Sequence, residues 1–423
     1  MFSLKLSKTM MDVQWAFVSL ATASFAHLLL RMVLGRELGP SGLGVYTLVF
    51  TVYMFGMQFA AFGIGSALTK YVAEFNEDLS KRNKFISSGI VGSLIYGSLM
   101  GLLLYLLSDT IGIGFFHNPD IVGLLRITAL CLPFIALQKA VVGTLNGLRS
   151  MKLYAFVNII QNVSVMVVSI VFVIPLNMAV KGAVIGFVLP TIVVGLLSLI
   201  IVRTYFTAGS TILGKALKEL SWFGFYIVLA NSVGLLNTEI DSLLIGHYLN
   251  EVEVGYYAVA VILVQGLSLI PMSVHRITYA ASANYYVKND YENLSNLLKN
   301  SFLKVFLVTM LISAVLVLFG QFIIRLLFGE DFLFAYKPLL VLLIGYSLYY
   351  PIHSITSVLS GMGKVTLVFR IALLCGLTNI LLNILLIPEF GILGAAIATS
   401  IGLIFAALVR AHFIYKYTKS MYG

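Results

Sequence analysis

The sequence predicts an all-α polytopic membrane protein: twelve transmembrane helices in two six-helix lobes related by internal duplication, with N- and C-termini cytoplasmic. Three observations carry that expectation. The chain is too apolar for water, its apolar runs have the length of a bilayer crossing, and its second half repeats its first. Mean hydropathy is +1.00. Hydrophobic residues make up 60% and charged residues 10%, whereas a soluble domain carries about 25% charged residues.

Stretches of about 20 apolar residues suffice to cross the hydrocarbon core as helix. They fall at 13–34, 43–68, 85–107, 120–145, 152–174, 180–202, 221–247, 255–280, 302–326, 336–360, 365–387 and 391–415. Barrel strands would alternate in polarity over about ten residues, and runs such as 166–174 and 315–319 do not. Lys5 and Lys8 precede an apolar run longer than a signal-peptide core, so the first helix is expected to remain uncleaved. Cys131 and Cys375 each lie inside an apolar span and read as small core residues.

The repeat has an offset of 211 to 215 residues. Tyr71, Val72, Glu77, Leu79, Ser80 and Lys84 match Tyr286, Val287, Glu292, Leu294, Ser295 and Lys299. Gly35, Leu38, Gly44 and Tyr46 match Gly246, Leu249, Gly255 and Tyr257. Lobes at 1–212 and 213–423 follow, each entering the membrane in the same direction, and such duplication points to a transporter. The polar stretch 204–220 reads as the connector. Tyr291, Leu294, Leu297 and Leu298 recur at helical spacing and suggest a short amphipathic helix at the inner surface.

The net charge of +10 reads as topology. With the N-terminus inside, eighteen basic residues fall in cytoplasmic segments, among them Lys81, Arg82, Lys84, Lys299, Arg410 and Lys419, against Arg36, Lys181, Arg325 and Lys337 outside. That bias places both termini in the cytoplasm. It makes membrane lipid, not nucleic acid, the partner of the basic surface.

Five cations are left within spans: Arg31, Arg126, Lys139, Arg276 and Arg370, with two acids, Glu239 and Asp241. Each costs roughly 2.5–3.5 kcal/mol at mid-membrane, so each calls for a reason. Lys139 follows Gln138 on a proline-bearing span and is expected to face a cavity, whereas long side chains nearer span ends can snorkel. Asp241 and Glu239 are candidates for ion coupling or for pairing with an arginine. On the fifth span Asn158, Gln161 and Asn162 share one face, as interhelical glue or as partners for sugar hydroxyls. Pro133, Pro190, Pro271 and Pro351 interrupt spans as kinks or hinges. The Tyr349-Tyr350-Pro351 cluster is a candidate stacking or gating surface. Phosphate-cradling loops, zinc-type spacings and nucleophile elbows are missing from the sequence, so no enzyme, catalytic residue, metal or cofactor is expected.

The segment Leu34-Gly35-Arg36-Glu37-Leu38-Gly39-Pro40-Ser41-Gly42-Leu43-Gly44-Val45-Tyr46 resembles the polysaccharide biosynthesis, or O-antigen flippase-like, family. Ile240-Asp241-Ser242-Leu243-Leu244-Ile245-Gly246 and Val254-Gly255-Tyr256-Tyr257-Ala258-Val259-Ala260 extend the resemblance over nearly the whole chain. The same superfamily holds multidrug and toxin extrusion transporters and peptidoglycan lipid flippases. The resemblance implies a multi-pass cell-membrane flippase of two six-helix bundles facing a V-shaped cavity. Its substrate would be a lipid-linked oligosaccharide, a polyprenyl phosphate or diphosphate sugar, moved outward for polysaccharide or glycoconjugate assembly. On that reading Lys139, Arg31 and Arg276 attract the diphosphate while Gln161 and Asn162 meet sugar. Peptidoglycan flippases place arginines on helices one, two and eight, and here the second span has none. The alternative is a cation-coupled drug exporter of the same superfamily, for which Asp241 and Glu239 would serve and which the acid-free first span disfavours.

Overall fold

A computed structural model describes residues 8–206 and 214–419, so the expected lobe boundary at 212/213 lies outside the described residues. Regular structure among the described residues is helical throughout: α1 Lys8–Ala61, α2 Ile64–Glu74, α3 Leu79–Asp109, α4 Asp120–Ala129, α5 Leu132–Gly147, α6 Met151–Val173, α7 Ala179–Val202 and α8 Lys215–Tyr248. There follow α9 Glu251–Gly266, α10 Leu269–Val287, α11 Tyr291–Leu327, α12 Tyr336–Ile355, α13 Ser357–Gly361, α14 Val365–Phe390 and α15 Ile392–Lys419.

Nine helices among the described residues are long and apolar enough to cross a membrane, or up to eleven if α4 with α5 and α9 with α10 each form one bent span. The apolar runs of the sequence predict twelve. The first of the nine runs from Met11 to Glu74 and contains a break at Gly39, whose φ of 66° and ψ of −174° leave the helix. Glycine reaches that backbone conformation without a Cβ penalty. Without the break, 54 residues would make about 80 Å of helix, far more than a bilayer needs.

Two expected elements merge into longer ones. The segment with Tyr291, Leu294 and Leu298 is the opening of the 37-residue α11, not a separate surface helix. It joins the span because Leu294 and Leu298 are buried in a cluster with Val358, Leu359 and Ile414. Likewise, the end of the expected connector from Lys215 onward is the first part of α8. Pro133 and Pro271 stand in the first turns of α5 and α10, just after bends, where the missing N–H would be unpaired in any helix. Pro190 and Pro351 lie inside α7 and α12.

The chain divides into two compact units, Met1–Leu38 with Leu48–Ser232, and Gly39–Thr47 with Val233–Gly423. In the first, Ile64, Leu68, Val72, Ile86, Leu137, Val141 and Leu145 form a core where α3 packs on α5, α5 on α7 and α6 on α7. In the second, α11 packs on α12, α12 on α15 and α14 on α15. Outward leucines such as Leu106 and Leu318 are exposed, as they must be where lipid is the solvent. Asp78 caps α3 by accepting from the Lys81 backbone N–H at 3.0 Å, and Asp290 caps α11 by accepting from that of Asn293 at 3.2 Å.

A short piece of the α1 region belongs to the second unit for a steric reason. A Cβ on Gly44 would collide with the carbonyl of Glu251, and one on Gly255 with that of Pro40. The two glycines, paired by the repeat, thus let two backbones approach each other reciprocally.

Candidate functional site

In the first unit α1, α5, α6 and α7 surround a cavity of ≈ 220 Å³. Mid-α5 supplies Gln138 and Lys139, α6 supplies Asn158, Gln161 and Asn162, α1 supplies His27, and α7 supplies Thr191. Helical spacing of i, i+3 and i+4 aims all three α6 amides at one side. Phe187 packs edge-on to Phe50 at 5.8 Å and against Tyr53 at 5.1 Å, giving the cavity an aromatic wall.

Lys139 is exposed although it stands mid-helix, and no carboxylate of the described residues lies within ion-pair distance of it. The amides around it are half satisfied. Gln161 Nε2 donates to Thr191 Oγ1 at 2.8 Å, Asn158 Nδ2 to the Tyr154 carbonyl at 2.9 Å, and Asn162 Nδ2 to the Asn158 carbonyl at 2.7 Å. The Gln138 and Gln161 Oε1 atoms are buried with no hydrogen-bond partner. Such acceptors are costly to leave unmade. A cation and two glutamines whose amide oxygens lack partners therefore line one small cavity.

The second unit buries Asp241, at 6% exposure. Its Oδ2 accepts from Tyr257 Oη at 2.7 Å and from Thr399 Oγ1 at 2.5 Å, and its Oδ1 from Asn383 Nδ2 at 2.7 Å. Asn379 Nδ2 in turn donates to Thr399 Oγ1 at 3.2 Å, while Asn383 Oδ1 is buried without a partner. Thus α8, α9, α14 and α15 converge on one carboxylate through neutral donors, and no arginine of the described residues forms an ion pair with it.

The residues expected from sequence are thus distributed. Lys139, Gln161 and Asn162 come together in the first-unit cavity. Arg31 lies one turn past His27 on α1, half-buried and close enough to act on that imidazole electrostatically. Arg276 is on α10 in the second unit, exposed. Glu239 is half-buried two residues before Asp241, near Tyr346 rather than among Asp241's hydrogen-bond partners. Arg126 is held by Asp109 at 2.5 Å and by Ser108 at 3.0 Å, which gives it a structural role.

Sequence reasoning missed His27, which lines the cavity with Asn162, and a histidine within the first apolar span was its only signal. Arg410, counted in the charge tally among the cytoplasmic basic residues, is buried within α15, nine residues short of Lys419.

The sequence profile of the polysaccharide biosynthesis protein family matches residues 11–282. The chain belongs to that family. A second profile, that of the MatE family, matches residues 227–385. The chain is 24% identical to a putative O-antigen transporter of Shigella flexneri over 89% of its own length and 90% of that protein's. Its fold is similar to that of the lipid II flippase MurJ in an inward closed conformation, with a TM-score of 0.80 at 20% identity, over 95% of this chain and 87% of that one. It is also similar to a multidrug resistance MATE family transporter facing inward, with a TM-score of 0.79 at 16% identity, over 96% and 98% of the two chains. A multi-pass membrane protein of the polysaccharide biosynthesis family is therefore the setting for both sites.

Proposed function

We propose that the protein flips a lipid-linked oligosaccharide across the cell membrane by alternating access, with Lys139 drawing the phosphate-bearing head group. The observation that carries this reading is the cavity around Lys139. A lone cation beside two unpartnered amide oxygens complements an anion that also bears hydroxyls. The cavity, at ≈ 220 Å³, is smaller than the usual 300–1,000 Å³ of small-molecule pockets. It takes one polar moiety of a head group rather than a whole oligosaccharide. Arg31 and Arg276 are assigned to guide the same diphosphate, and Gln161 and Asn162 to meet sugar.

On this reading the break at Gly39 separates two spans, which brings the count to twelve. The lobes at 1–212 and 213–423 are then duplicates with cytoplasmic termini. The matching packing of α3–α5–α7 and α11–α12–α15 supports the duplication. The Asp241 cluster is assigned to ion coupling. A carboxylate, a hydroxyl and amide oxygens are hard donors that suit a proton or a small cation such as sodium. A cation-coupled drug exporter remains the alternative. The lining of the first-unit cavity disfavours it, because that lining contains Lys139 and no Asp or Glu.

The test is a proteoliposome assay in which a polyprenyl diphosphate sugar loaded in one leaflet becomes accessible to an impermeant reagent in the other. Wild type is expected to flip the lipid, and replacement of Arg31, Lys139 and Arg276 together by glutamine to stop it. Unchanged flipping in the triple variant would refute the electrostatic mechanism. No flipping by wild type, with export of cationic drugs instead, would select the exporter.

A further inference from the structure

The second unit contains a buried arginine that neither site uses. Arg410 on α15 is 8% exposed. Its Nη1 donates to Tyr349 Oη at 2.7 Å and approaches His353 Nδ1 at 3.4 Å. The guanidinium carbon lies 5.1 Å from the centre of the Tyr349 ring. Every one of these partners is neutral. No carboxylate of the described residues lies within ion-pair distance of Arg410, and its Nε is buried with no hydrogen-bond partner.

A guanidinium only donates, so His353 Nδ1 faces it as an acceptor and the ring proton of His353 sits on Nε2. His275 Nδ1 lies 2.9 Å from the His353 carbonyl and must donate to it, and the two imidazoles stack at 4.8 Å and 3°. Stacked face to face, both rings are best kept neutral. The cluster therefore carries one uncompensated positive charge, an idle Nε–H and an imidazole N–H, all held by α10, α12 and α15. A purely structural staple between α12 and α15 would need only the Tyr349 bond. It leaves the charge and the Nε–H without a purpose.

We propose that Arg410, with Tyr349 and His353, forms a binding site for the oxyanion of a phosphate group. The guanidinium edge offers Nε and an Nη in the parallel geometry that phosphate oxygens match, and Tyr349 stacks beneath it to hold its plane. The site is distinct from the Lys139 cavity and does not depend on what the protein transports. Carrier-lipid phosphate, a phospholipid head group and free phosphate share this chemistry.

The full-length protein in detergent, titrated by native mass spectrometry, tests the site and its source. The probes are undecaprenyl phosphate against undecaprenol, phosphatidylglycerol against diacylglycerol, and inorganic pyrophosphate against chloride. In a background with Arg31, Lys139 and Arg276 replaced by glutamine, the protein is expected to prefer the phosphate member of at least one pair by roughly tenfold, and added Arg410→Gln to lose that preference. The pair that responds identifies the source. A background protein with no preference, or a folded Arg410→Gln derivative that keeps it, would overturn the proposal. Should Arg410→Gln fail to fold, phenylglyoxal labelling of the wild type replaces it. Protection of Arg410 by the responding phosphate probe alone supports the site, and labelling indifferent to phosphate overturns it.

Discussion

The Lys139 cavity and the Asp241 cluster each hold one ionisable side chain inside the apolar part of a unit, yet they solve that problem in opposite ways. Asp241 is closed over by three donors from three other helices. Lys139 has no carboxylate of the described residues in ion-pair reach and lines a cavity with Gln138 and Gln161, whose amide oxygens lack partners. The difference separates a carboxylate satisfied by hydrogen bonds from its own fold from a cation with no carboxylate of the described residues beside it. Stability and transport should therefore respond in opposite senses at the two places.

The largest expected effect is at Asp241. Its replacement by alanine leaves the Tyr257 and Thr399 hydroxyls and the Asn383 amide without their acceptor, at a cost of about 3 kcal/mol, read as a lower midpoint in denaturant titration. Asp241→Asn, which keeps the shape, should retain most of the stability and lose the response of transport to a sodium or proton gradient. An unchanged gradient response would remove ion coupling from this cluster.

Lys139→Met should reverse the pattern, with the melting temperature unchanged or raised and flipping slowed by roughly tenfold or more. A loss of stability with normal flipping would make Lys139 a structural residue and erase the contrast. Gln161→Leu should be milder, about fivefold in flipping, because one amide among several is removed. An effect as large as that of Lys139→Met would mean that sugar contact, not charge, dominates.

The smallest effect is a control outside both sites. Asp78 is held below the usual carboxylate range first by the Lys81 backbone N–H and also by the Lys81 ammonium. A depressed folded pKa contributes stability above the unfolded value, and that contribution is lost as pH falls through the folded one. Asp78→Ala should lower the melting temperature slightly at neutral pH, and the deficit should narrow below about pH 4. A deficit that did not depend on pH would assign the cap's effect to helix propensity alone.

Much of the candidate site was legible before any fold was known. Asn158, Gln161 and Asn162 share a face by spacing alone, and Lys139 beside Gln138 in an apolar run had to be explained by a cavity or a partner. The division of labour between Asp241 and Glu239 was not legible. Two residues apart on a helix, they point about 200° apart, and only neighbouring helices decide which direction is lined with donors. The burial of Arg410 was illegible for a related reason. Near the end of an apolar run a cation normally snorkels outward, and nothing local reveals that Tyr349 and His353, some sixty residues earlier, draw it inward.

The sequence by itself determined that the chain is helical and crosses the membrane, because hydropathy over about 20 residues is a property of one segment and its solvent. It also supplied the repeat and the short list of polar side chains that lipid would not tolerate unaided. Tertiary structure alone decided which of those side chains meet. That outcome depends on how each helix is rotated against its neighbours, and helix rotation is set by packing between residues far apart in sequence, such as Asp241 with Asn383 and Thr399.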